Sequence, residues 1–253
     1  MSDAETGGGR SVIDRAADRL LNATVLERFG IAIASTTLAL LIGLGIVAAA
    51  GYNPLRFASQ LLVGSVGSER AVIRTLRNST IFVLAGVAVA VAFRAGVFNI
   101  GVQGQFVVGG FSTVVATVWL GSFVPDGPGA GAVLIAAGTL VGIVTGGLYG
   151  ALPGVLKAYG DANEIITTIM LNFIAIGFVG WLVAGPFGDP TSTATRTRRL
   201  PANAEFPRLV FDDPNFSVVG LAIMLAVVVA VAALMAKTSF GYDMVTSGYQ
   251  TAA

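Results

Sequence analysis

The chain has 253 residues, of which 55% are hydrophobic and 11% charged, with a mean hydropathy of +0.81. A soluble domain of this size carries about 25% charged residues, so the composition excludes a water-soluble fold and specifies a membrane protein. With 15 basic and 14 acidic residues the net charge of +1 argues against nucleic acid as a partner, and the lack of Cys and His removes disulfides, thiolate metal sites and the commonest acid–base residue.

In chain order, residues 1–10 ("MSDAETGGGR") read as a disordered N-terminus without the apolar core of a cleavable signal sequence. Residues 11–29 set Ile13, Ala16, Ala17, Leu20 and Leu21 against Asp14, Arg15, Asp18 and Arg19, the pattern of an amphipathic interfacial helix on the membrane surface; a short soluble helix is the alternative. Residues 30–236 then form the transmembrane domain. Uncharged runs occupy 29–55, 78–93, 95–125, 127–156, 165–188 and 214–236, and nearly all reach the roughly 20 residues that cross a ~30 Å hydrocarbon core as helix. They are apolar on every side, which points to helices rather than a barrel. The expected fold is an all-α polytopic bundle of about six spans, near 31–50, 78–94, 100–120, 130–152, 164–184 and 216–236.

An even number of spans puts both ends on one side. Seven basic residues against eight barely choose which, although Arg10, Arg15, Arg19 and Arg28 favour a cytoplasmic N-terminus. The longest external segment is then 185–216, read either as an ordered, irregular cap or as a tolerated surface loop.

Polar groups within the spans are the candidates for function. "VFNIGVQGQF", 97–106, carries Asn99, Gln103 and Gln105 with Gly101 and Gly104. Two readings stand: a polar turn joining two spans, or a broken helix near 98–106 whose amides and freed backbone groups line a solute cavity. Uncharged amides suit a polyhydroxylated or nucleobase-bearing solute better than an ion. Gly138, Gly142, Gly146 and Gly150 recur every fourth residue and define a face for close helix packing. In "GDANEIITTIMLN", Asp161 and Glu164 have the spacing of a capping box, while Glu164, Thr168 and Asn172 step along one face, with Thr167 beside them. An amide as deep as Asn172 turns that face toward the bundle interior. No acid lies deeper than Glu164, which weakens ion coupling, and no GxxxxGK[ST] loop is present, so any ATP hydrolysis falls to another subunit. A permease subunit, an ATPase-independent carrier or channel, and a non-transporting scaffold all fit these features.

Three stretches in order, "FRAGVFNIGVQGQF", "GDANEIITTIMLNFIA" and "KTSFGYDMVTSGYQTAA", resemble permease subunits of ABC importers in the nucleoside and simple-sugar branch, partners of basic-membrane-protein-type binding lipoproteins. The resemblance runs from about residue 56 to 253. It implies a transmembrane permease domain over 30–236, a substrate path between the spans, for which the polar groups above offer Asn99, Gln103, Gln105, Glu164, Thr168 and Asn172, and the start of a cytoplasmic ATPase-coupling segment over 237–253. Coupling positions are Lys237, Gly241, Gly248, Ala252 and Ala253. The implied partners are cytoplasmic ATP-binding subunits, a second permease subunit, an external substrate-binding lipoprotein and the lipid bilayer of the plasma membrane. No catalytic residue, metal or cofactor is expected within the chain, ATP being bound by the partner subunits. Where the family usually has Glu, this chain has Gln103, and where it commonly has Asn-Pro, this chain has Tyr249 and Gln250. Family members continue through the coupling helix into further spans, so the sequence resembles the front portion of a permease.

Overall fold

A computed structural model describes residues 24–125, 127, 129–214 and 216–250. The disordered N-terminus expected at 1–10, most of the surface helix expected at 11–29, and Ala252 and Ala253 lie outside the described residues. The described chain is helical, with an isolated bridge between Gly188 and Thr197 as its only β pairing, and six of its helices are long and apolar enough to cross a membrane. The all-α polytopic fold follows directly from the charge-free runs.

The chain divides into two compact units, Met1–Val72 and Ile73–Ala253. In the first, α1 (Val25–Ala49) opens on a reciprocal capping box: the Thr24 amide donates to Glu27 Oε2 at 2.7 Å and the Glu27 amide to Thr24 Oγ1 at 3.3 Å. Residues 25–29 therefore belong to the first span. After a turn at Gly51, whose φ of 84° suits glycine, comes α2 (Pro54–Val66), a short helix outside the expected spans. Asn53 caps it and Pro54 occupies its first position, where a missing N–H is harmless.

Helix α3 (Glu69–Arg94) begins in the first unit and continues into the second, where α4 (Val102–Gly121), α5 (Ala130–Gly160), α6 (Glu164–Ala184), α7 (Val218–Lys237) and α8 (Ser239–Gln250) follow. The break expected near 98–106 lies at 95–101, between α3 and α4 rather than inside one span. Gly96, at φ 72°, turns the chain there, and Phe93 and Phe98 stack across the turn with centroids 4.7 Å apart. At 31 residues, α5 is about 46 Å long, more than the hydrocarbon core requires, so it continues through the buried Pro153 and carries Lys157 past the apolar layer.

The capping box expected of Asp161 and Glu164 does not form. Asp161 ends α5 in the left-handed conformation, φ 49°, and Asn163 caps α6 instead, its Oδ1 accepting from the amides of Ile165 and Ile166. The physical reason is position: Asn163 directly precedes the helix, and a short amide there reaches the free N–H groups that Asp161, committed to the preceding turn, does not.

The core of the second unit is the pairing of α4 with α5. The four glycines at 138, 142, 146 and 150 lie against Thr117, Thr113, Gly109 and Gln105, a row on α4 with the same four-residue step running the other way. A Cβ on Gly138 would run into Thr117 Oγ1 and one on Gly142 into Thr113 Oγ1; on Gly146 it would lie 3.3 Å from Gln105 O, and on Gly150 3.1 Å from Gln105 Cδ. Close approach of backbones is what holds helices together in lipid, where apolar burial gives no advantage.

Segment 185–217 folds back over this pair. Arg196 grips Asp189 at 2.9 Å, the Ala202–Ala204 turn packs on Gly131 through Asn203 O, and Phe187 meets Phe111 edge-on at 5.4 Å.

Candidate functional site

The first turn of a helix leaves amide groups without intrahelical partners. Helix α4 starts at Gly101, which has no side chain to cap it, at the depth where a span begins. Its polar needs are met from α6. Gly104 N donates to Asn172 Oδ1 at 2.7 Å, Asn172 Nδ2 donates to Ile100 O at 2.9 Å, and Ile100 N reaches Thr168 Oγ1 at 3.4 Å. Asn99 Oδ1 accepts from Gly101 N at 2.7 Å and from Gln105 Nε2 at 3.2 Å. Asn172 and Thr168 thus stitch the 100–104 backbone to α6, while Asn99 ties the segment to itself.

The two glycines of the stretch make the stitch possible. A Cβ on Gly101 would lie 3.3 Å from Thr168 Cβ, and one on Gly104 3.1 Å from the Asn172 Cα and 3.2 Å from Ala175 Cβ. Thr168 is completely buried, and its hydroxyl hydrogen goes to Glu164 O at 2.7 Å while its lone pair faces Ile100 N. Glu164, at the start of α6, pairs with Lys157 of α5 at 2.8 Å, and Tyr149 of α5 donates to Leu171 O at 2.7 Å. Sequence reasoning passed over Tyr149, whose signal was a phenol inside an otherwise apolar span.

Five of the six expected pathway residues, Asn99, Gln105, Glu164, Thr168 and Asn172, therefore meet around one junction of α4, α5 and α6, and each has a polar partner within the protein. Gln103 stands apart. It is exposed, and its amide has no hydrogen-bond partner among the described residues. It shares an open face of α4 with Phe106 and Gly110.

Of the expected coupling positions, Lys237 closes α7, and Gly241 lies in the first turn of α8, where a Cβ would come 2.5 Å from Leu234 O. The Gly241 amide is held by Thr238 Oγ1 at 3.1 Å. Gly248 packs on the turn before the stitched segment: a Cβ there would lie 2.9 Å from both Arg94 O and Gly96 N.

Six apolar spans with polar side chains gathered at a helix junction describe a multi-pass membrane protein of the permease class. The chain belongs to the branched-chain amino acid transport system permease component family, which it matches over residues 71–253, and it resides in the plasma membrane. It is similar to the nucleoside ABC transporter permease NupB of Lactococcus lactis subsp. cremoris, 31% identical over 82% of this chain and 57% of that protein. The guanosine ABC transporter permease NupP of Bacillus subtilis is also 31% identical, over 84% of this chain and 60% of its own length. A glucose ABC transporter permease of Haloferax volcanii is 28% identical, over 87% and 58%. The chain thus spans less than two thirds of the length of these relatives. No solved structure matches it.

Proposed function

We propose that the chain is part of the membrane permease subunit of an ATP-driven importer that moves a nucleoside or simple sugar across the plasma membrane. The observation that carries this reading is 31% identity to two permeases named for nucleoside and guanosine transport, across more than four fifths of the chain. In this reading the chain carries no catalytic residue and no cofactor, and ATP is bound and hydrolysed on cytoplasmic subunits that dock on α8. An external binding lipoprotein delivers the solute and a second permease subunit completes the pathway.

Within that pathway the residues divide by what their polar atoms already do. Asn99, Gln105, Glu164, Thr168 and Asn172 hold the helix junction, so they support the path. Gln103 has an unoccupied amide on an open helix face and is the group proposed to meet the solute. An amide in lipid without a partner is costly, which favours a wet path or a second subunit beside it.

The test is uptake of labelled guanosine into membranes carrying the permease with its ATP-binding and binding-protein partners. Uptake should require ATP and fall when Gln103 is changed to Leu. Uptake that persists after ATP depletion, with no ATP-binding subunit co-purifying, would replace this reading with an ATPase-independent carrier.

A further inference from the structure

At the other end of α4 from the stitched junction, the second unit holds a cavity of about 350 Å³ between α4 and the hairpin that follows α6. Its α4 wall runs from Val114 to Ser122, a length of about 12 Å, beside the Gly109–Thr113–Thr117 row that packs on α5. Val115, Val118 and Phe187 supply apolar surface, Thr197 and Arg198 of the hairpin supply polar groups, and Trp119 joins them. The depth of this end is marked by indoles. Trp119 and Trp181 stand in the last turns of α4 and α6, each 63% exposed, and exposed tryptophans concentrate where hydrocarbon gives way to headgroups.

We infer that this cavity is a binding site for one anionic glycerophospholipid, its phosphate beside Arg198 and Thr197 and an acyl chain against Val115, Val118 and Phe187. The donors set the headgroup. Arg198 has no ion pair among the described residues, and neither the Thr197 hydroxyl nor the Trp119 indole has a hydrogen-bond partner among them, so a guanidinium and two further donors are free to take a phosphodiester. No carboxylate stands among the described lining residues, and Asp189, the acid of the hairpin, is engaged by Thr191 at 2.6 Å and by Arg196 at 2.9 Å. An anion therefore meets donors with no acid to repel it, whereas the cationic group of a zwitterionic lipid finds no acid to pair with. The valines and Phe187 set the rest of the ligand, because a free phosphate would leave that apolar wall uncovered.

The hairpin is held without a ligand. Phe187 meets Phe111 edge-on at 5.4 Å, and its amide donates to Leu182 O at 3.0 Å. The Asp189 amide donates to Arg196 O at 2.9 Å, and the bridge between Gly188 and Thr197 fixes the residue just before Arg198. Little ordering is left for binding to impose on these walls, which favours selective retention of one lipid over general solvation by the bilayer. The inference makes no use of what the protein transports.

The chain has two tryptophans, one on the cavity wall and one off it, so each can be read alone. The full chain is reconstituted in phosphatidylcholine vesicles, and its fluorescence is followed as phosphatidylglycerol or phosphatidylcholine brominated on the acyl chains replaces the unbrominated lipid. In the Trp181→Phe variant, Trp119 should be quenched at about a tenfold lower fraction of the brominated phosphatidylglycerol than of the brominated phosphatidylcholine, the preference one charge-assisted contact confers. In the Trp119→Phe variant, Trp181 should respond equally to both lipids. Adding Arg198→Gln to Trp181→Phe should remove most of the preference, whereas Arg199→Gln, next in the chain but off the wall, should leave it in place. Inorganic phosphate at millimolar concentration should not reverse the quenching. Both arginines are exposed, and an unchanged circular dichroism spectrum controls for folding. Equal quenching of Trp119 by the two lipids would overturn the inference, as would the same preference at Trp181 or an equal loss in the two arginine variants, either of which means diffuse attraction. Reversal by free phosphate would overturn it too, leaving an anion site without a lipid.

Discussion

Gly142→Ala is the sharpest test of how this fold is held. In a helix exposed to lipid or solvent the change from glycine to alanine stabilises by about 1 kcal/mol, because alanine restricts the unfolded chain and suits the helix. At Gly142 the new methyl group would meet Thr113 Oγ1 and lie 2.9 Å from Gly109 O. These two obstacles are linked, because Thr113 Oγ1 donates to that same carbonyl at 2.9 Å. The hydroxyl cannot swing aside without giving up its bond, and the carbonyl cannot yield without moving the α4 backbone. Overpacking a close seam costs about 1–3 kcal/mol and a lost hydrogen bond about 1 kcal/mol more, which together exceed the helix gain. The expected net loss is about 1–3 kcal/mol.

Gly147 supplies the control within the same helix. Nothing lies within 4 Å of a Cβ there, so Gly147→Ala should leave stability unchanged or raise it by up to about 1 kcal/mol. Unfolding of the detergent-solubilised chain by SDS, followed by far-ultraviolet circular dichroism, reads both. The midpoint should fall for Gly142→Ala and hold or rise for Gly147→Ala. Adding Thr113→Ala should recover part of the loss, since it removes one of the two obstacles, and the double-mutant cycle should show a coupling of 0.5 kcal/mol or more, on the order expected for contacting residues. If the two single variants unfold together, the seam is not the contact that holds α4 to α5.

Three further outcomes follow from the same geometry. Asn172→Leu strands Gly104 N and Ile100 O at once, each worth about 1–3 kcal/mol when left unpaired, so the unfolding midpoint should drop and amide exchange at Gly104 should accelerate. Gly248→Val should collide with the backbone of 94–96 and, in the importer proposed above, reduce solute-stimulated ATP hydrolysis while sparing assembly of the spans, with a wild-type rate refuting the link. In segment 185–217, hydrogen bonds from the Thr191 side chain and backbone, then Arg196, hold the Asp189 carboxyl below the usual aspartate range. A depressed folded pKa means that the Asp189–Arg196 clasp is intact above the ordinary aspartate pKa and is lost only as pH falls through the lower folded value, which carbon NMR of the Asp189 carboxyl would follow.

The spans were legible because lipid penalises charge, so gaps between charged residues mark them whatever the packing. Their ends were less so. Helix α3 starts at Glu69, well before residue 78, because Arg70, Arg74 and Arg77 ride on a helix that continues beyond its apolar section. The short α2 was missed because 13 residues carry too little apolar pattern to register, although Asn53–Pro54 was a readable start signal. Thr24 and Glu27 likewise spelled a capping box inside a stretch assigned to the surface. At the site, the spacing of Glu164, Thr168 and Asn172 indicated one inward face, but not that its partner was the backbone of 100–104. Backbone acceptors leave no mark in a sequence.

The two kinds of contact on α4 differ in what they permit. Against α5 the seam is one of shape: its threonine hydroxyls bond within their own helix, so small sliding of α4 along the glycines breaks no hydrogen bond across the interface. Against α6 the contact is a stitch of directional bonds, two of them from the single amide of Asn172. Separating α4 from α6 therefore removes hydrogen bonds in a medium that offers no replacement, at about 1–3 kcal/mol for each group left bare. In the proposed transport cycle the start of α4 and the face of α6 should consequently move together, with adjustment taken up along the glycine seam. The 94–96 turn leads directly into this stitched body and lies under Gly248, so a displacement of α8 would be delivered to α4 and α6 jointly rather than to one of them.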